Sequence, residues 1–378
     1  MRDSMISFES VTKRFPDGTT AVDDLTLAIE EGSFTAFVGP SGCGKTTSMR
    51  MINRMIDATT GVVRVGGEDV RAINAVGLRR GIGYVIQSAG LMPHQRVVDN
   101  IATVPVLQGV SRKKARLAAV ELLERVGLDQ RLATRYPAQL SGGQQQRVGV
   151  ARALAADPKI LLMDEPFSAV DPVVREDLQN EMLRLQSELR KTIVFVTHDI
   201  DEAVKLADRV AVFGAGGRLQ QYDTPEKLLA APANDFVAGF IGRDRGYRLL
   251  QFGSGTQVRM HPLEPIVEEQ IDGLALDADD DWRLVLRDGE PFGWVDAGGV
   301  AAHRDGRDLY DSCSAGGSLF NRGGTLRQAL DAALSSPSGL GVVVDADGRV
   351  VGGVRAADVL EVFEQQRRSS VEQPETGS

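Results

Sequence analysis

The nine residues GPSGCGKTT combine glycines, a lysine and two threonines at a spacing suited to holding a nucleotide phosphate. They fit the pattern G-x-x-x-x-G-K-[ST]. Glycines let consecutive backbone N–H groups converge on one point, and the N-terminus of a following helix adds a positive dipole end. A phosphate-binding loop is therefore predicted here, in preference to a tight surface turn that happens to carry a lysine. Its residues are Gly39, Pro40, Ser41, Gly42, Cys43, Gly44, Lys45, Thr46 and Thr47.

Two side chains of this loop have individual roles in the prediction. Lys45 supplies a mobile cation for the outer phosphates, and the Thr46 hydroxyl is placed to bind Mg²⁺. The apolar run SFTAFVG before the loop and the helical run KTTSMRMINRM after it give the strand–loop–helix order that such a loop requires.

A pair of acids follows a second apolar run, ILLMDEP. Asp164 ends this predicted strand and is placed to hold Mg²⁺ through water, while Glu165 next to it can polarise an attacking water. Adjacent acids at a strand end can also form a simple turn, but the phosphate loop upstream favours the catalytic interpretation. His198 follows a third apolar run, TIVFV, and can hydrogen-bond a γ-phosphate oxygen. Taken alone, such a histidine is more often structural.

The segment QLSGGQQQRVGVARAL predicts a second helix N-terminus that can bind an anion, with a capping hydroxyl and bare backbone donors. One nucleotide hardly needs two anion sites in the same chain. The economical interpretation is that Ser141, Gly142, Gly143 and Gln144 cover the γ-phosphate of a nucleotide held by another copy, so that two chains enclose two ATP molecules. The alternative is an ordinary capped helix.

The elements that must position these residues are predicted to form an α/β fold. Up to about residue 245, short β-rich runs alternate with amphipathic helices, which is typical of a nucleotide-binding core. MISFESVTKRF and VDDLTLAIEEG are predicted as early antiparallel strands. ILLMDEP, TIVFVTHD and RVAVFG are predicted as core strands that end in polar residues. Residues 88–160 are predicted to be mostly helical, with one helix capped by Ser111 and ended by Gly127.

Beyond residue 245 the sequence becomes rich in glycine and aspartate and contains a repeat. RDGEPFGWVDA and ADGRVVGGVRA share a D-G turn and a second glycine four residues later, at a constant offset of 59 residues (Gly289 to Gly348, Gly293 to Gly352). The second copy has a helical pattern before and after its strands, whereas the stretch before the first copy is a poor helix. The first copy is therefore degenerate. Residues 367–378 form a polar tail that is predicted to be disordered.

Composition restricts the function classes. The 378 residues suffice for two or three domains, and 42% hydrophobic with 25% charged residues is ordinary for a soluble protein. A net charge of −9 argues against nucleic-acid binding through a general basic surface. Two distant cysteines fit a reducing compartment. No secretory h-region and no apolar run of about 18 residues is present, so any role at a membrane is expected to involve docking.

The combined motifs resemble those of the ATP-binding cassette (ABC) family over the first two thirds of the chain. GPSGCGKTT, LSGGQ, LLMDEP and the histidine after FVT occur in that family's order. The resemblance implies that Phe15 stacks on adenine and that Gln87 reaches Mg²⁺ and the γ-phosphate. It also implies that Ser168–Asp171 crosses a dimer interface, with Asp171 near the nucleotide. A family ATPase uses ATP and Mg²⁺, pairs with a second copy and docks on a transmembrane permease at the cytoplasmic face of the inner or plasma membrane.

Longer stretches look like the ATPase subunit of bacterial importers for glycine betaine, proline betaine, choline or carnitine, which also use an extracytoplasmic solute-binding protein. The C-terminal repeat resembles a pair of cystathionine-beta-synthase (CBS)-type modules, which bind adenosyl ligands or sense ionic conditions. The expected domains are an ABC ATPase domain at 1–244, with a mixed sheet, an antiparallel β subdomain and a helical subdomain, and a smaller α+β CBS-like domain at 250–366. Two alternatives remain: an importer ATPase for another solute such as an amino acid, and a cassette ATPase that does no transport.

Overall fold

The strand that leads into the glycine-rich loop, Phe34–Val38, is buried at all five positions. The computed structural model describes residues 4–87, 90–168, 170–274, 276 and 281–372. It divides into two units, Met1–Arg243 and Asp244–Ser378. The strands of the first unit are β1 (Ser4–Arg14), β2 (Thr20–Glu30), β3 (Phe34–Val38), β4 (Thr60–Val65), β5 (Glu68–Asp69), β6 (Ile82–Val85), β7 (Ile160–Asp164), β8 (Thr192–Val196), β9 (Arg209–Phe213) and β10 (Leu219–Asp223).

Six of these strands form the sheet that positions the predicted site, in the order β10-β9-β3-β8-β7-β6. The five strands from β9 to β6 are parallel neighbours, with Thr35 opposite Val194 and Leu162 opposite Tyr84. Only β10 runs antiparallel to its neighbour β9. The apolar runs ILLMD, TIVFV and RVAVF are β7, β8 and β9, as predicted. Because parallel strands end at one edge, everything that follows β3, β6, β7 and β8 begins at the same edge of the sheet.

A second sheet of the first unit is antiparallel, in the order β2-β1-β4-β5. The predicted pairing of the first two strands is confirmed, with Phe8 opposite Leu27. Alternate residues of β2 are buried, which gives the sheet one apolar face. This face packs with residues of the main sheet and with Met49 and Ile52 in one hydrophobic core.

Nine helices of the described part of the first unit cover the sheets and form the helical region. They are α1 (Lys45–Ile52), α2 (Ala75–Arg80), α3 (Val97–Leu107), α4 (Arg112–Arg125), α5 (Gly142–Leu154), α6 (Pro172–Leu189), α7 (Ile200–Leu206), α8 (Pro225–Ala230) and α9 (Asp235–Ile241). The predicted helix near residue 111 is α4: the Ser111 hydroxyl accepts a hydrogen bond from the Lys114 N–H, and Gly127 follows with a φ of 70°.

The second unit contains two three-stranded sheets that reflect the sequence repeat. The elements are α10 (Arg245–Leu249), β11 (Arg283–Arg287), β12 (Glu290–Val295), α11 (Ala297–Arg304), β13 (Ser314–Ala315), β14 (Phe320–Asn321), α12 (Leu326–Ser335), β15 (Leu340–Val344), β16 (Val350–Arg355) and α13 (Ala356–Glu372). The sheet orders are β11-β12-β13 and β14-β15-β16. The two D-G turns connect β11 to β12 and β15 to β16, so both copies of the repeat are hairpins.

The two halves of this unit differ in the segment that precedes each hairpin, as the sequence predicts. Helix α12 precedes the second hairpin, whereas Glu268–Gly273, before the first, is only a 3-10 helix. Trp294 and Val342, one from each hairpin, share a small buried cluster. Helix α13 reaches Glu372, so residues 367–372 are helical where composition predicts disorder, because a helix anchored by Val359 and Val362 extends at little cost per residue. Residues 373–378 of the predicted tail lie outside the described residues.

Candidate active site

The glycine-rich loop runs from the end of β3 to the first turn of α1. Gly44 is the N-cap of α1 with a φ of 90°, and a Cβ there would lie 2.1 Å from the Ala21 carbonyl oxygen. At Gly39, with a φ of 146°, a Cβ would lie 2.3 Å from the Phe213 carbonyl oxygen. Both positions therefore require glycine. No side chain of the described residues caps the α1 N-terminus, so its N–H groups remain available to an anion.

Lys45 points its ammonium into this loop. Its side chain is buried, and Nζ donates hydrogen bonds to the carbonyl oxygens of Gly39 at 2.7 Å and Pro40 at 2.8 Å. The cation is thus held by the loop's own backbone, at the position from which it can turn to a phosphate. Carbonyl partners are weaker than a phosphate for an ammonium group, because they carry no net charge.

Thr46 and Asp164 meet across the edge of the sheet. The Thr46 hydroxyl donates to Asp164 Oδ1 at 2.8 Å, although 118 residues separate the two. A hydroxyl and a carboxylate are hard oxygen ligands of the kind that Mg²⁺ prefers. The donor set therefore fits the magnesium predicted from the sequence. Among the described residues no cluster of three or more His, Cys, Asp or Glu side chains is present, so phosphate oxygens and water would complete such a site.

The second oxygen of the Asp164 carboxylate has two partners that the sequence did not indicate. Arg50 Nη2 and the Tyr84 hydroxyl each lie 3.4 Å from Oδ2. Hydrogen bonding to Tyr84 raises the pKa of Arg50, and burial raises the pKa of the Tyr84 hydroxyl, so both groups keep their protons. The sequence contains only weak signals for these two contacts. Arg50 lies on α1, beyond the glycine-rich motif, and Tyr84 lies close to Asp164 only because β6 is the neighbour of β7.

Glu165 follows β7 in an uncommon backbone conformation, with a φ of 45°. For a residue with a Cβ this costs on the order of 1–2 kcal/mol. Three hydrogen bonds hold the turn: the Glu165 N–H donates to the Val196 carbonyl oxygen at 3.0 Å, and the Ser168 hydroxyl and N–H donate to the Glu165 carbonyl oxygen at 3.0 Å and 3.3 Å. The strained turn directs the carboxylate towards residues that follow β6 and β8.

Gln87 and His198 both approach the Glu165 carboxylate. Gln87 Nε2 donates to Oε2 at 3.2 Å, and His198 Nδ1 lies 3.5 Å from the same oxygen. These three predicted residues come from the ends of three different parallel strands and form one polar cluster. The His198 side chain is 62% exposed, so its ring can reach a ligand bound at this edge of the sheet.

The remaining predicted residues lie elsewhere in the first unit. Ser141 caps α5 and forms a reciprocal pair with Gln144: the Gln144 N–H donates to the Ser141 hydroxyl at 3.3 Å, and the Ser141 N–H donates to Gln144 Oε1 at 3.0 Å. Asp171 caps α6 by accepting from the Val174 N–H at 3.1 Å. Phe15 lies in the turn after β1, with Lys13 Nζ 5.2 Å from its ring centre. Ala169, within the predicted interface loop, is outside the described residues.

Comparison with known proteins identifies the family and the fold of the chain. The sequence model of the ABC transporter family matches residues 22–168. The osmoprotectant import ATP-binding protein OsmV of Salmonella typhimurium strain LT2 is 42% identical over 369 residues, which cover 93% of this chain and 94% of that protein. The carnitine transport ATP-binding protein OpuCA of Listeria monocytogenes is 54% identical over 241 residues, covering 64% of this chain and 60% of that protein.

A solved structure gives the same result for the fold. The dimeric, post-hydrolysis structure of the ATP-binding cassette MJ0796 bound to ADP and phosphate has a TM-score of 0.53 and 33% identity. The match covers 58% of this chain and 99% of the other. The α/β cassette fold expected from the motifs is confirmed. Every helix of the described residues is too short or too polar to cross a bilayer. The chain belongs to the family of ABC transporter ATP-binding proteins.

Proposed function

We propose that this chain is the ATP-hydrolysing subunit of an importer for a quaternary-amine osmoprotectant: glycine betaine, proline betaine, choline or carnitine. The observation that carries the ATPase part is the meeting of side chains from four strand ends at one sheet edge. The Thr46 hydroxyl donates a hydrogen bond to the Asp164 carboxylate at 2.8 Å, and Gln87 and His198 both approach one carboxylate oxygen of Glu165. A metal-binding pair beside a water-activating carboxylate is the arrangement that phosphoryl transfer to water requires.

Each residue of this edge has a part in the proposed reaction. The glycine-rich loop and Lys45 bind the phosphates, and Thr46, Asp164 and Gln87 hold Mg²⁺, which when bound neutralises charge on the phosphate oxygens. Glu165 accepts the proton of the attacking water. His198 hydrogen-bonds the γ-phosphate and orients that water. Phe15 stacks on the adenine. These residues lower the activation barrier mainly by positioning the reacting groups, because covalent chemistry by the protein contributes little.

The ATPase is proposed to work as a dimer in which α5 of one copy faces the nucleotide of the other. The backbone donors at the start of α5 give an anion site that the chain's own loop does not need. Ser141, Gly142, Gly143 and Gln144 would contact the γ-phosphate, with Asp171 at the interface. The MJ0796 cassette is described as dimeric, which supports the proposal.

Ser141→Arg is expected to prevent this dimer while leaving the chain folded. The new side chain would occupy the space beyond the α5 N-terminus and add a bulky cation to a tight contact. ATP-dependent dimerisation should weaken by at least about tenfold, equal to about 1.4 kcal/mol. Sedimentation of the variant in the presence of ATP measures this dimerisation. The matched control is Ser111→Arg, which removes the cap of α4 and should dimerise normally. An unchanged dimer in Ser141→Arg would rule out the two-chain site.

The transport part of the proposal is supported by the relatives OsmV and OpuCA, whose names state osmoprotectant import and carnitine transport. The proposed partners are a transmembrane permease, on which this chain docks at the cytoplasmic face of the membrane, and, indirectly, an extracytoplasmic solute-binding protein. The test is uptake by vesicles that contain this chain together with its permease and binding protein, identified by co-purification with the chain. ATP-dependent uptake of a quaternary amine is expected. Uptake restricted to amino acids would contradict the choice of solute.

The second unit is proposed to be a CBS-like regulatory domain over residues 250–366, with an ABC ATPase domain at 1–244. The support is the repeated hairpin of β11–β12 and β15–β16 and its 59-residue offset. An adenosyl nucleotide or the ionic strength would be its signal. In the same vesicles, a chain ending at residue 244 should import at a rate that no longer responds to ionic strength. Since Met1–Arg243 form one compact unit, and MJ0796 matches over 99% of its own length but only 58% of this chain, such a chain is expected to fold. An unchanged response would contradict the regulatory role.

A further inference from the structure

Glu202 is a buried carboxylate beside the candidate active site that the proposed reaction leaves without a role. It lies in the first turn of α7, with 6% of its surface exposed. The Thr197 hydroxyl donates to Glu202 Oε2 at 2.6 Å and accepts from the Asp199 N–H at 3.0 Å. Thr197 and Asp199, which flank His198, are therefore both connected to the Glu202 carboxylate through the Thr197 hydroxyl. The loop is fixed while the His198 ring stays exposed.

Arg175 and Glu202 line one cavity beside the candidate active site. The cavity has a volume of about 70 Å³ and is lined by Glu165, Ser168, Arg175, Thr197, His198 and Glu202, among others. Arg175 lies on the first turns of α6, and its backbone N–H donates to the Asp171 carbonyl oxygen at 2.9 Å. Its Nη2 reaches back to the Val170 carbonyl oxygen at 3.4 Å. The guanidinium thus contacts the predicted interface loop.

The charges make Arg175 and Glu202 complementary. The pKa of Glu202 is raised, chiefly by burial and further by the Asp199 carboxylate, while the Thr197 hydroxyl and the Arg175 cation act in the opposite direction. A buried carboxylate without a nearby cation would be costly in its charged form. Arg175 Nε is buried and has no hydrogen-bond partner among the described residues, so the guanidinium retains a donor that faces inward.

We propose that Arg175 and Glu202 are positioning residues that couple the interface loop at Val170–Asp171 to the His198 loop. The coupling rests on the proposed ATPase function and deepens it. When a second copy engages the interface loop, Arg175 moves with α6, and Glu202 transmits the displacement through Thr197 to the backbone of His198. Hydrolysis then depends on dimer closure without any direct contact between Arg175 and the nucleotide.

The first test is ATPase kinetics of the full chain carrying Arg175→Met, Glu202→Gln or both. Each single variant is expected to lower kcat by about tenfold and to leave KM for ATP within about twofold. The double variant should be no slower than the slower single variant, because both act through one path. Additive losses, or a KM that rises as much as kcat falls, would overturn the proposal. Arg184→Met on the same helix, which removes ion pairs with Glu181 and Glu188 and a hydrogen bond to the Arg125 carbonyl oxygen, is the control and should keep the wild-type rate.

Two further measurements distinguish a loss of this coupling from general damage to the fold and from a failure of the proposed function. Arg175→Lys keeps the charge but lacks the planar fork that reaches Val170, so its kcat should also fall. A wild-type kcat in this variant would contradict the link to the interface loop.

Hydrogen exchange is the second measurement, and it needs no turnover. Backbone amides of residues 197–202 should exchange faster in Arg175→Met than in the wild-type protein, and those of α5 should not. Unchanged exchange at 197–202 would overturn the inference, whereas a wild-type chain without ATPase activity would overturn the proposed function.

Discussion

Glu165→Gln is expected nearly to abolish turnover, to leave ATP binding intact and to accumulate an ATP-bound dimer. The amide keeps the size of the side chain, and its oxygen can still accept the hydrogen bond that Gln87 donates at 3.2 Å. What it loses is the negative charge that accepts a proton from water. Removing a general base lowers the rate by about 10²–10⁴-fold, and the dimer that hydrolysis would open then persists. Phosphate release under single-turnover conditions measures the loss.

The control for Glu165→Gln is Glu188→Gln, near the exposed end of α6, which pairs with Arg184 at the surface. It should hydrolyse ATP at the wild-type rate. The strained conformation of Glu165 is kept in both proteins, because Gln and Glu have the same Cβ requirements. Normal turnover in Glu165→Gln would show that another group accepts the proton, and the assignment would be wrong.

Lys45→Ala is expected to lose nucleotide binding. The ammonium is already inside the loop, held by the carbonyl oxygens of Gly39 and Pro40, so little reorganisation is needed for it to bind a phosphate. Its loss removes charge-assisted hydrogen bonds and should weaken ATP binding by at least about 100-fold, equal to about 2.7 kcal/mol. Calorimetric titration with ATP measures it.

The matched control is Lys113→Ala on the exposed face of α4, which should bind ATP with wild-type affinity. Thermal unfolding of the ligand-free proteins checks the fold. We expect the free energy of unfolding of Lys45→Ala to change little, because the hydrogen bonds it removes join the ammonium only to the loop that it belongs to. Retained ATP affinity in a folded Lys45→Ala protein would contradict the phosphate-loop assignment.

The sequence predicted the parts of the site that depend on local pattern. The phosphate loop, the acids after β7 and the histidine after β8 each follow an apolar run, and parallel strands bring their ends together whatever the sheet order is. The capping pair Ser141–Gln144 was predictable for the same reason, since a serine, two glycines and a glutamine specify a helix start locally. The repeated D-G turns likewise determine two hairpins.

Contacts that depend on the sheet order could not be predicted. Tyr84 reaches Asp164 only because β6 lies beside β7, and the chain between these strands contains most of the helical region. Arg175 and Glu202 belong to helices that follow different strands, so nothing in their local sequence relates them. The helical backbone at residues 367–372 depends on the anchoring of α13 by its buried valines, which polar composition does not reveal.

The central claim is that ATP joins two copies of this chain, and light scattering coupled to size-exclusion chromatography of Glu165→Gln tests it most directly. The chain has a mass of 40.7 kDa. Without nucleotide the protein should elute with this mass, and with Mg-free ATP it should elute with twice this mass. The Lys45→Ala, Glu165→Gln double variant should remain a monomer in both conditions. A Glu165→Gln protein that binds ATP to saturation and still elutes as a monomer would contradict the two-chain site.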